Sequence, residues 1–255
     1  MHVTTRTDTE LPGVRDAWFD VHPGPDVLPT GACHVAVRGG SPGAGSVSAA
    51  VLEIPLPREL ERAVLKRQLE FRAGRYCARA ALVELGHGPM VPPRGESGVP
   101  LWPAGVVGSI THTDGYARAA VASTDQATAI GIDTERIISP RRAALVAATI
   151  AAESEIETAM RAGLSRCEAV TLAFSAKESV FKCLHGLVGR RFGFADARLG
   201  HVDCDARTYT MELVRDLSDR CPAGLVLAGR FLMEPELLHT GLLLGDQWAR
   251  PSHTA

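Results

Sequence analysis

The sequence predicts an α+β fold made of two similar halves. One observation is the length, since 255 residues suit one large domain or two small ones. Another is the order of the predicted elements, which runs helix, β-hairpin, strand, helix, strands. In addition, each half has a helix in which a basic residue soon follows an aromatic one, at Phe71–Arg72 and at Phe174–Lys177. The predicted halves are residues 1–126 and 127–255.

Composition narrows the class of protein. The chain is 45% apolar and 22% charged, as ordinary globular proteins are, and its net charge of −2 gives no sign of nonspecific nucleic-acid binding. No apolar run reaches the roughly 20 residues that span a bilayer, and the N-terminus lacks a signal-peptide apolar region. Six cysteines show neither C-x-x-C spacing nor the density of a disulfide scaffold. We therefore expect a cytoplasmic monomer that contacts neither nucleic acid nor membrane.

The first half is predicted to centre on one long helix. Good helix formers fill residues 58–85, and Gly86 is well placed to end the helix. Before it, strand-like patches at residues 32–38 and 46–52 suggest a plain hairpin across a Gly-rich turn. After a Pro-rich loop, a second hairpin is predicted, with strands at 106–111 and 116–122.

The second half is predicted to alternate a strand, helices and further strands. The pattern favours a strand at 129–135, one or two helices within 140–160, a helix at about 165–185, and strands at 207–213, 224–231 and 238–244.

Two acidic residues carry a chemical signal in the strand at 129–135. Period-two alternation places Asp133 and Glu135 on one face, with Cα atoms roughly 6.5–7 Å apart. Carboxylates this close repel each other unless a cation or protons lie between them. Glu178, in the later helix, would give three oxygen ligands. Such a set suits Mg²⁺, which takes its remaining ligands from water and substrate phosphates. Alternatively, the pair simply ends a strand in solvent.

The helix that contains Glu178 combines charged residues with an aromatic stripe. The stripe consists of Phe174, Phe181 and His185. Glu178 lies at its edge, beside the face expected to be buried, with Lys177 and Lys182 nearby. Such charges need partners, and phosphates would supply them for the lysines. The alternative is an ordinary i,i+4 pair of Glu178 with Lys182, worth about 0.2–0.5 kcal/mol.

Basic residues form a stripe on the first-half helix. Arg72, Arg75 and Arg79 fall within an arc of about 60°. Like charges so close need acids or a bound anion to neutralise them. Glu70 and Glu84 are available, so a solvated charged face is the alternative. Thr111 and His112 end the first strand of the second hairpin, where a lone His is more often structural than functional.

Together these motifs resemble the signature of the Sfp-type phosphopantetheinyl transferases, in particular the enterobactin-synthase branch. The sequence contains G-x-D-x-E, then F-S-x-K-E-x-x-x-K about forty residues later, and earlier F-x-x-G-R-x-C-A-R-x-A-L and S-I-T-H. The motifs appear in the family's order and cover nearly half of the chain. Phe174 stands where a Trp is also common.

The resemblance implies a pseudodimer with coenzyme A (CoA) bound in the cleft between its halves. It implies that the phosphopantetheine arm of CoA is transferred to a serine of an apo acyl or peptidyl carrier protein. Mg²⁺ would be held by Asp133, Glu135 and Glu178. Glu178 would also act as general base, while Lys177 and Lys182 neutralise phosphate charge. The residues expected to hold CoA phosphates are Arg72, Arg75, Arg79, Thr111 and His112.

The sequence leaves two other activities open and suggests a docking segment. A Mg²⁺-dependent phosphate-ester hydrolase would use the same acids without a carrier, and a CoA- or carrier-binding module would lack a productive metal site. Residues 137–145 directly follow the acidic strand and combine apolar side chains with Arg141 and Arg142. We expect an acidic carrier surface to dock there.

Overall fold

The computed structural model describes residues 19–23, 33–39, 49–95, 98–245 and 248. It confirms the α+β class, with one antiparallel sheet in each of two compact units. The chain passes from the first unit to the second after Ser123. No helix within the described ranges is long and apolar enough to cross a membrane.

The first unit packs a long helix on a four-stranded sheet. Its described elements are β1 (Phe19–Pro23), β2 (Cys33–Gly39), α1 (Ala49–Leu52), α2 (Leu65–Glu84), β3 (Val106–Thr113) and β4 (Tyr116–Ser123). The sheet order is β1-β2-β4-β3. Small buried residues such as Ala73 and Cys77 allow α2 to lie close to the sheet. At Gly74, a Cβ would come within 2.8 Å of the Ile110 side chain.

The second unit packs three helices on a five-stranded sheet. Its elements are β5 (Ala129–Arg136), α3 (Pro140–Ile150), α4 (Glu153–Arg161), α5 (Arg166–Val188), β6 (Ala197–Asp203), β7 (Thr208–Leu213), β8 (Val226–Met233) and β9 (Leu237–Leu244). The sheet order is β5-β9-β8-β7-β6. Helix α5 lies across β5 and β9, and the large buried side chains of this core include Leu172, Leu184 and Leu238.

The predicted start of the first long helix is wrong. A 3₁₀ turn at Arg58–Leu60 comes first, and α2 begins at Leu65. The side-chain amide of Gln68 donates to the carbonyl oxygens of Glu61 and Ala63, at 3.0 and 2.9 Å. These bonds satisfy carbonyls that a continuous helix would use, so the intervening residues form a turn.

The hairpin predicted before the helix is also wrong. Strand β2 pairs with β1 and β4, and Ala49–Leu52 is helical. Val51 is fully buried, and a short apolar run does not distinguish strand from helix by periodicity. Most of the turn expected between the two patches lies outside the described residues.

Boundaries in the second half agree with prediction except in two places. Helix α5 continues through Gly186 and ends before Gly189, whose φ of 68° gives the left-handed turn that ends helices. Strand β6 was not predicted as a separate element. The predicted strand at 129–135 is confirmed, and the region predicted to hold one or two helices contains two, α3 and α4.

Candidate active site

Strand β5, which carries Asp133 and Glu135, and helix α5, which carries Glu178, are in direct main-chain contact at Gly131. A Cβ at Gly131 would overlap the carbonyl oxygen of Ser179 and lie 2.8 Å from Cβ of Cys183. A glycine is therefore required there, because any side chain would push α5 away from β5. This contact sets the distance between the helix and the carboxylate of Asp133, on the same strand.

Asp133, Glu135 and Glu178 form an acidic cluster at this contact. Burial, followed by the charge of Asp133, raises the pKa of Glu135 to about 8, despite the opposing effect of Lys182. Burial also raises the pKa of Glu178, with Lys182 opposing and Asp133 adding to the shift. The three partly or fully buried carboxyls therefore interact electrostatically, and their role as metal ligands stays a prediction.

Lys182 pairs with the acidic strand. Its Nζ lies 2.6 Å from Oδ1 of Asp133, whose side chain is 4% exposed. Among the described residues, Lys182 bonds to Asp133 instead of forming the ordinary helix pair with Glu178, although its charge opposes the rise in the pKa of Glu178. The ammonium of Lys182 thus bonds to Asp133 and also acts electrostatically on Glu135 and Glu178.

A buried hydroxyl network supports the acidic cluster, and sequence reasoning missed it. Thr240 is the cross-strand neighbour of Asp133. Its Oγ1 lies 2.8 Å from Oγ of Ser175 and 2.7 Å from Oγ of Ser179, and it donates to the Ser175 carbonyl at 3.0 Å. These bonds fix the rotation of α5 against β9, which aims Glu178 toward β5. The serines stand in the F-S-x-K-E-S run, but nothing in the sequence pointed to Thr240.

Lys177 lies in a different environment from Lys182. Its side chain is 3% exposed, and its Nζ is 3.0 Å from Oε1 of Glu155. It also donates to the carbonyl oxygen of Phe194 at 3.0 Å. Its expected role at a phosphate stays a prediction, and its present contacts make it part of a buried ion pair.

The aromatic stripe does not form the buried face of α5, contrary to expectation. Phe174 and Phe181 are half-buried, whereas the fully buried face consists of small and aliphatic residues. The reason is the close approach of α5 to the sheet, which leaves no space there for rings. The ring of Phe181 instead helps to enclose a cavity of about 260 Å³. It is lined by Lys177, Glu178, Phe181, Phe192, Gly193, Phe194 and Ala197.

The first unit carries the predicted arginines on α2. Arg75 is only 4% exposed, and burial, aided by the charge of Arg94, lowers its pKa to about 10. Its guanidinium stacks on Phe71 at 5.0 Å from the ring centre, and that of Arg79 stacks on Tyr76 at 5.4 Å. The Nε atoms of Arg72 and Arg75 are buried without a hydrogen-bond partner among the described residues. The stripe is therefore partly buried and cationic, rather than a fully solvated face.

His112 lies at the end of β3, next to a cation that sequence reasoning did not select. Arg67 Nη1 is 2.9 Å from His112 Nε2, and Nδ1 of the ring is 3.6 Å from Oε2 of Glu70. Because a guanidinium only donates, Nε2 of His112 is the acceptor in this contact. Thr111, next in sequence, is buried. Arg67 is one turn before Glu70 on the exposed start of α2, and no motif marked it.

Asp133, Glu135 and Glu178 offer the type of oxygen ligand that Mg²⁺ prefers, but they do not form a complete coordination shell. Within the described ranges, no group of three or more His, Cys, Asp or Glu side chains is arranged to hold a metal ion. Burial is the main cause of the raised pKa values of Glu135 and Glu178, and the negative charge of Asp133 adds to both shifts, so a divalent cation there would favour the ionised carboxylates. Mg²⁺ commonly uses one or two carboxylates, waters and substrate phosphates, so a complete protein cage is not required.

Comparison with known proteins agrees with this arrangement of two units. Residues 56–122 match the 4'-phosphopantetheinyl transferase N-terminal domain, and residues 129–228 match the 4'-phosphopantetheinyl transferase superfamily. Together the two matches cover more than half of the chain. The chain belongs to the 4'-phosphopantetheinyl transferase superfamily.

Named relatives support this membership. The chain is 36% identical over 199 residues to 4'-phosphopantetheinyl transferase PptT of Mycobacterium tuberculosis (strain ATCC 25618 / H37Rv), which covers 74% of this chain and 86% of the relative. It is 43% identical over 155 residues to 4'-phosphopantetheinyl transferase Svp of Streptomyces mobaraensis, covering 60% of this chain and 62% of the relative. It is 42% identical over 132 residues to enterobactin synthase component D of Escherichia coli (strain K12), and the aligned region covers 52% of this chain and 62% of the relative.

Proposed function

We propose that this chain transfers the 4'-phosphopantetheine arm of CoA to a serine of an apo acyl or peptidyl carrier protein, in a Mg²⁺-dependent reaction. The serine oxygen attacks the phosphorus next to the pantetheine, and the bond from that phosphorus to the leaving adenosine 3',5'-bisphosphate breaks. Membership of the superfamily supports the reaction class. The observation that carries the proposal is the acidic cluster placed by the Gly131 contact beside Lys182.

The acidic cluster would hold the metal. Asp133, Glu135 and Glu178 supply hard oxygen ligands whose mutual repulsion a cation relieves. A bound Mg²⁺ would neutralise charge on the CoA pyrophosphate. Lys182, already paired with Asp133, would add positive charge toward the leaving group.

Glu178 is our proposed general base. Burial raises its pKa above that of an ordinary glutamate, and a base gains efficiency as its pKa approaches the working pH. It also lines the cavity of about 260 Å³, so a substrate group in the cavity can reach it. Glu178 would accept the serine proton directly or through a water molecule.

The basic residues of the first unit would bind CoA phosphates. Arg72, Arg75 and Arg79 present guanidinium groups, which pair with phosphate through two hydrogen bonds. The partnerless Nε of Arg75 and the lowering of its pKa favour an anion as its partner. Thr111 and His112 are proposed for the same ligand, and Arg67 joins them through its contact with His112.

The carrier is proposed to dock on residues 137–145. Leu145 is 76% exposed on α3, while Arg141 and Arg142 are exposed at the start of that helix. Ile138 packs against the core of the second unit and is less available than the sequence suggested. The surface therefore offers Leu145 and two arginines to an acidic partner.

Intact-mass measurement tests the proposed function. An apo carrier protein is incubated with the chain, CoA and Mg²⁺, and the expected result is a mass gain of one phosphopantetheine on the carrier. Release of adenosine 3',5'-bisphosphate without a carrier would instead favour a phosphate-ester hydrolase. Calorimetry that finds CoA binding indifferent to Mg²⁺, with no product, would favour a binding module.

A further inference from the structure

The carboxylate of Glu155 is the meeting point of three elements. It is buried, and its Oε2 accepts from the backbone N–H of Ala152 at 2.8 Å, at the start of α4. Its Oε1 accepts from the backbone N–H of Leu199 in β6 at 2.8 Å and lies 3.0 Å from Nζ of Lys177 in α5. Glu155 therefore ties α4, β6 and α5 together through one charged group.

Lys177 extends this connection to the cavity beside Glu178. Its ammonium bonds both to Glu155 and to the carbonyl oxygen of Phe194, whose ring packs edge-on against Phe174 at 5.5 Å. Residues of α5 and residues 192–197 both line the cavity. The ammonium is thus a bridge between the two segments that enclose the space next to Glu178.

The removal of Glu155 would leave a buried ammonium without its counter-charge. Such a group is costly, so Lys177 would move toward solvent or toward the acidic cluster. Either movement breaks its bond to Phe194. The segment 192–197 would then keep only its other attachments, which include the bond from the Val214 N–H to the carbonyl oxygen of Asp196 at 3.0 Å.

We infer that Glu155 is a positioning residue, which holds Lys177 so that α5 and residues 192–197 keep the cavity beside Glu178 at a fixed width. This role rests on the proposed function only in that Glu178 is taken as the base of the transfer. Glu155 itself touches no substrate. Its effect passes through Lys177 to Phe194 and hence to the cavity wall.

The test compares Glu155→Gln with a matched control, Glu168→Gln. Glu168 occupies the third position of its own helix, as Glu155 does, and its Oε2 accepts from the Ser165 N–H at 2.7 Å. Among the described residues, no lysine forms an ion pair with Glu168. Both substitutions therefore disturb one helix-capping bond. Only Glu155→Gln also removes the counter-charge of Lys177 and changes the acceptor of the Leu199 N–H. Carrier transfer is measured well below the melting temperature of each variant.

We expect Glu155→Gln to lower kcat for transfer at least tenfold, with KM for CoA within about threefold of wild type, and Glu168→Gln to stay within twofold in both. The Glu155→Gln/Lys177→Met double variant should be no slower than Lys177→Met alone, because both changes break one connection. A kcat for Glu155→Gln equal to that of the control, or above wild type, overturns the inference. The second result would mean that Glu155 restrains a lysine that acts directly on phosphate.

A spectroscopic measurement keeps the inference testable without turnover. The full chain is labelled with 4-fluorophenylalanine, and the Phe194 resonance is assigned by its loss in Phe194→Leu. This resonance should shift in Glu155→Gln and keep its position in Glu168→Gln. If the resonance keeps its position in Glu155→Gln, the inference is overturned. If wild type fails to modify the carrier, the proposed function fails, and this measurement alone decides the role of Glu155.

Discussion

The acidic cluster and the arginine stripe are both charged, but they are held in different ways. The position of the acidic cluster is set by main-chain contact at Gly131, by the hydroxyl network around Thr240 and by the ion pair of Lys182. The arginines project from one helix on long side chains, two of which stack on aromatic rings. The difference suggests tight positioning where a bond would break and adaptable contact where remote phosphates would bind.

The largest expected effect comes from the acidic cluster. Glu178→Gln should abolish detectable transfer while the melting temperature stays near that of wild type, because the change removes a charge without changing the volume. Intact-mass kinetics with saturating CoA and carrier provides the measurement. Retention of more than about a tenth of wild-type kcat, a loss below about 1.4 kcal/mol, would rule out the base assignment.

The next effect tests the close approach itself. Gly131→Ala should destabilise the chain by about 3 kcal/mol or more and lower kcat at least 100-fold, because a methyl group there overlaps the Ser179 carbonyl. Chemical denaturation and transfer kinetics measure the two effects. Gly186→Ala, in helix α5 and with open space where its Cβ would lie, is the control and should be neutral or slightly stabilising. Normal activity in Gly131→Ala would show that α5 can shift without harm.

A smaller effect is expected in the arginine stripe. Arg75→Ala and His112→Ala should each weaken CoA binding roughly 10- to 150-fold, since charge-assisted bonds contribute about 1.5–3 kcal/mol. Saturated turnover should change less, because these groups are assigned to phosphates away from the reacting bond. Calorimetry with CoA measures the affinity, and the exposed Arg62→Ala serves as control. Unchanged affinity in both variants would assign them a structural role.

The smallest effect concerns the docking segment. Arg141→Glu should raise KM for the carrier a few-fold at low salt and flatten its salt dependence, because rim charges mainly govern encounter. CoA affinity should be unchanged. Arg142→Glu is a useful comparison, because Arg142 lowers the pKa of Glu135 and so should also disturb the acidic cluster. An unchanged carrier KM in Arg141→Glu would move the docking surface elsewhere.

The sequence predicted those parts of the site that depend on local spacing. Strand period, helix period and motif order are all readable along the chain, and Asp133, Glu135, Glu178 and Lys182 do interact electrostatically, while their assigned roles stay predictions. The predicted family is confirmed as well.

The parts that the sequence did not predict depend on distant segments. Thr240 and Glu155 acquire their roles only when β9 and α4 pack against α5. The burial of the aromatic stripe was misjudged because the closeness of α5 to the sheet is a tertiary property. Gly131 was visible in the G-x-D-x-E motif, yet no sequence rule says which backbone would approach it.

The absence of a side chain at Gly131 also matters to protein engineers. The main chain of β5 contacts α5 directly at Gly131. We therefore expect the position of the helix to depend little on side chains that point away from this contact. Libraries that aim at altered CoA analogues should therefore randomise the cavity walls, such as Phe181 and Phe192, and leave the strand untouched. Variants randomised at Gly131 and its neighbours in β5 would mostly fail to fold correctly.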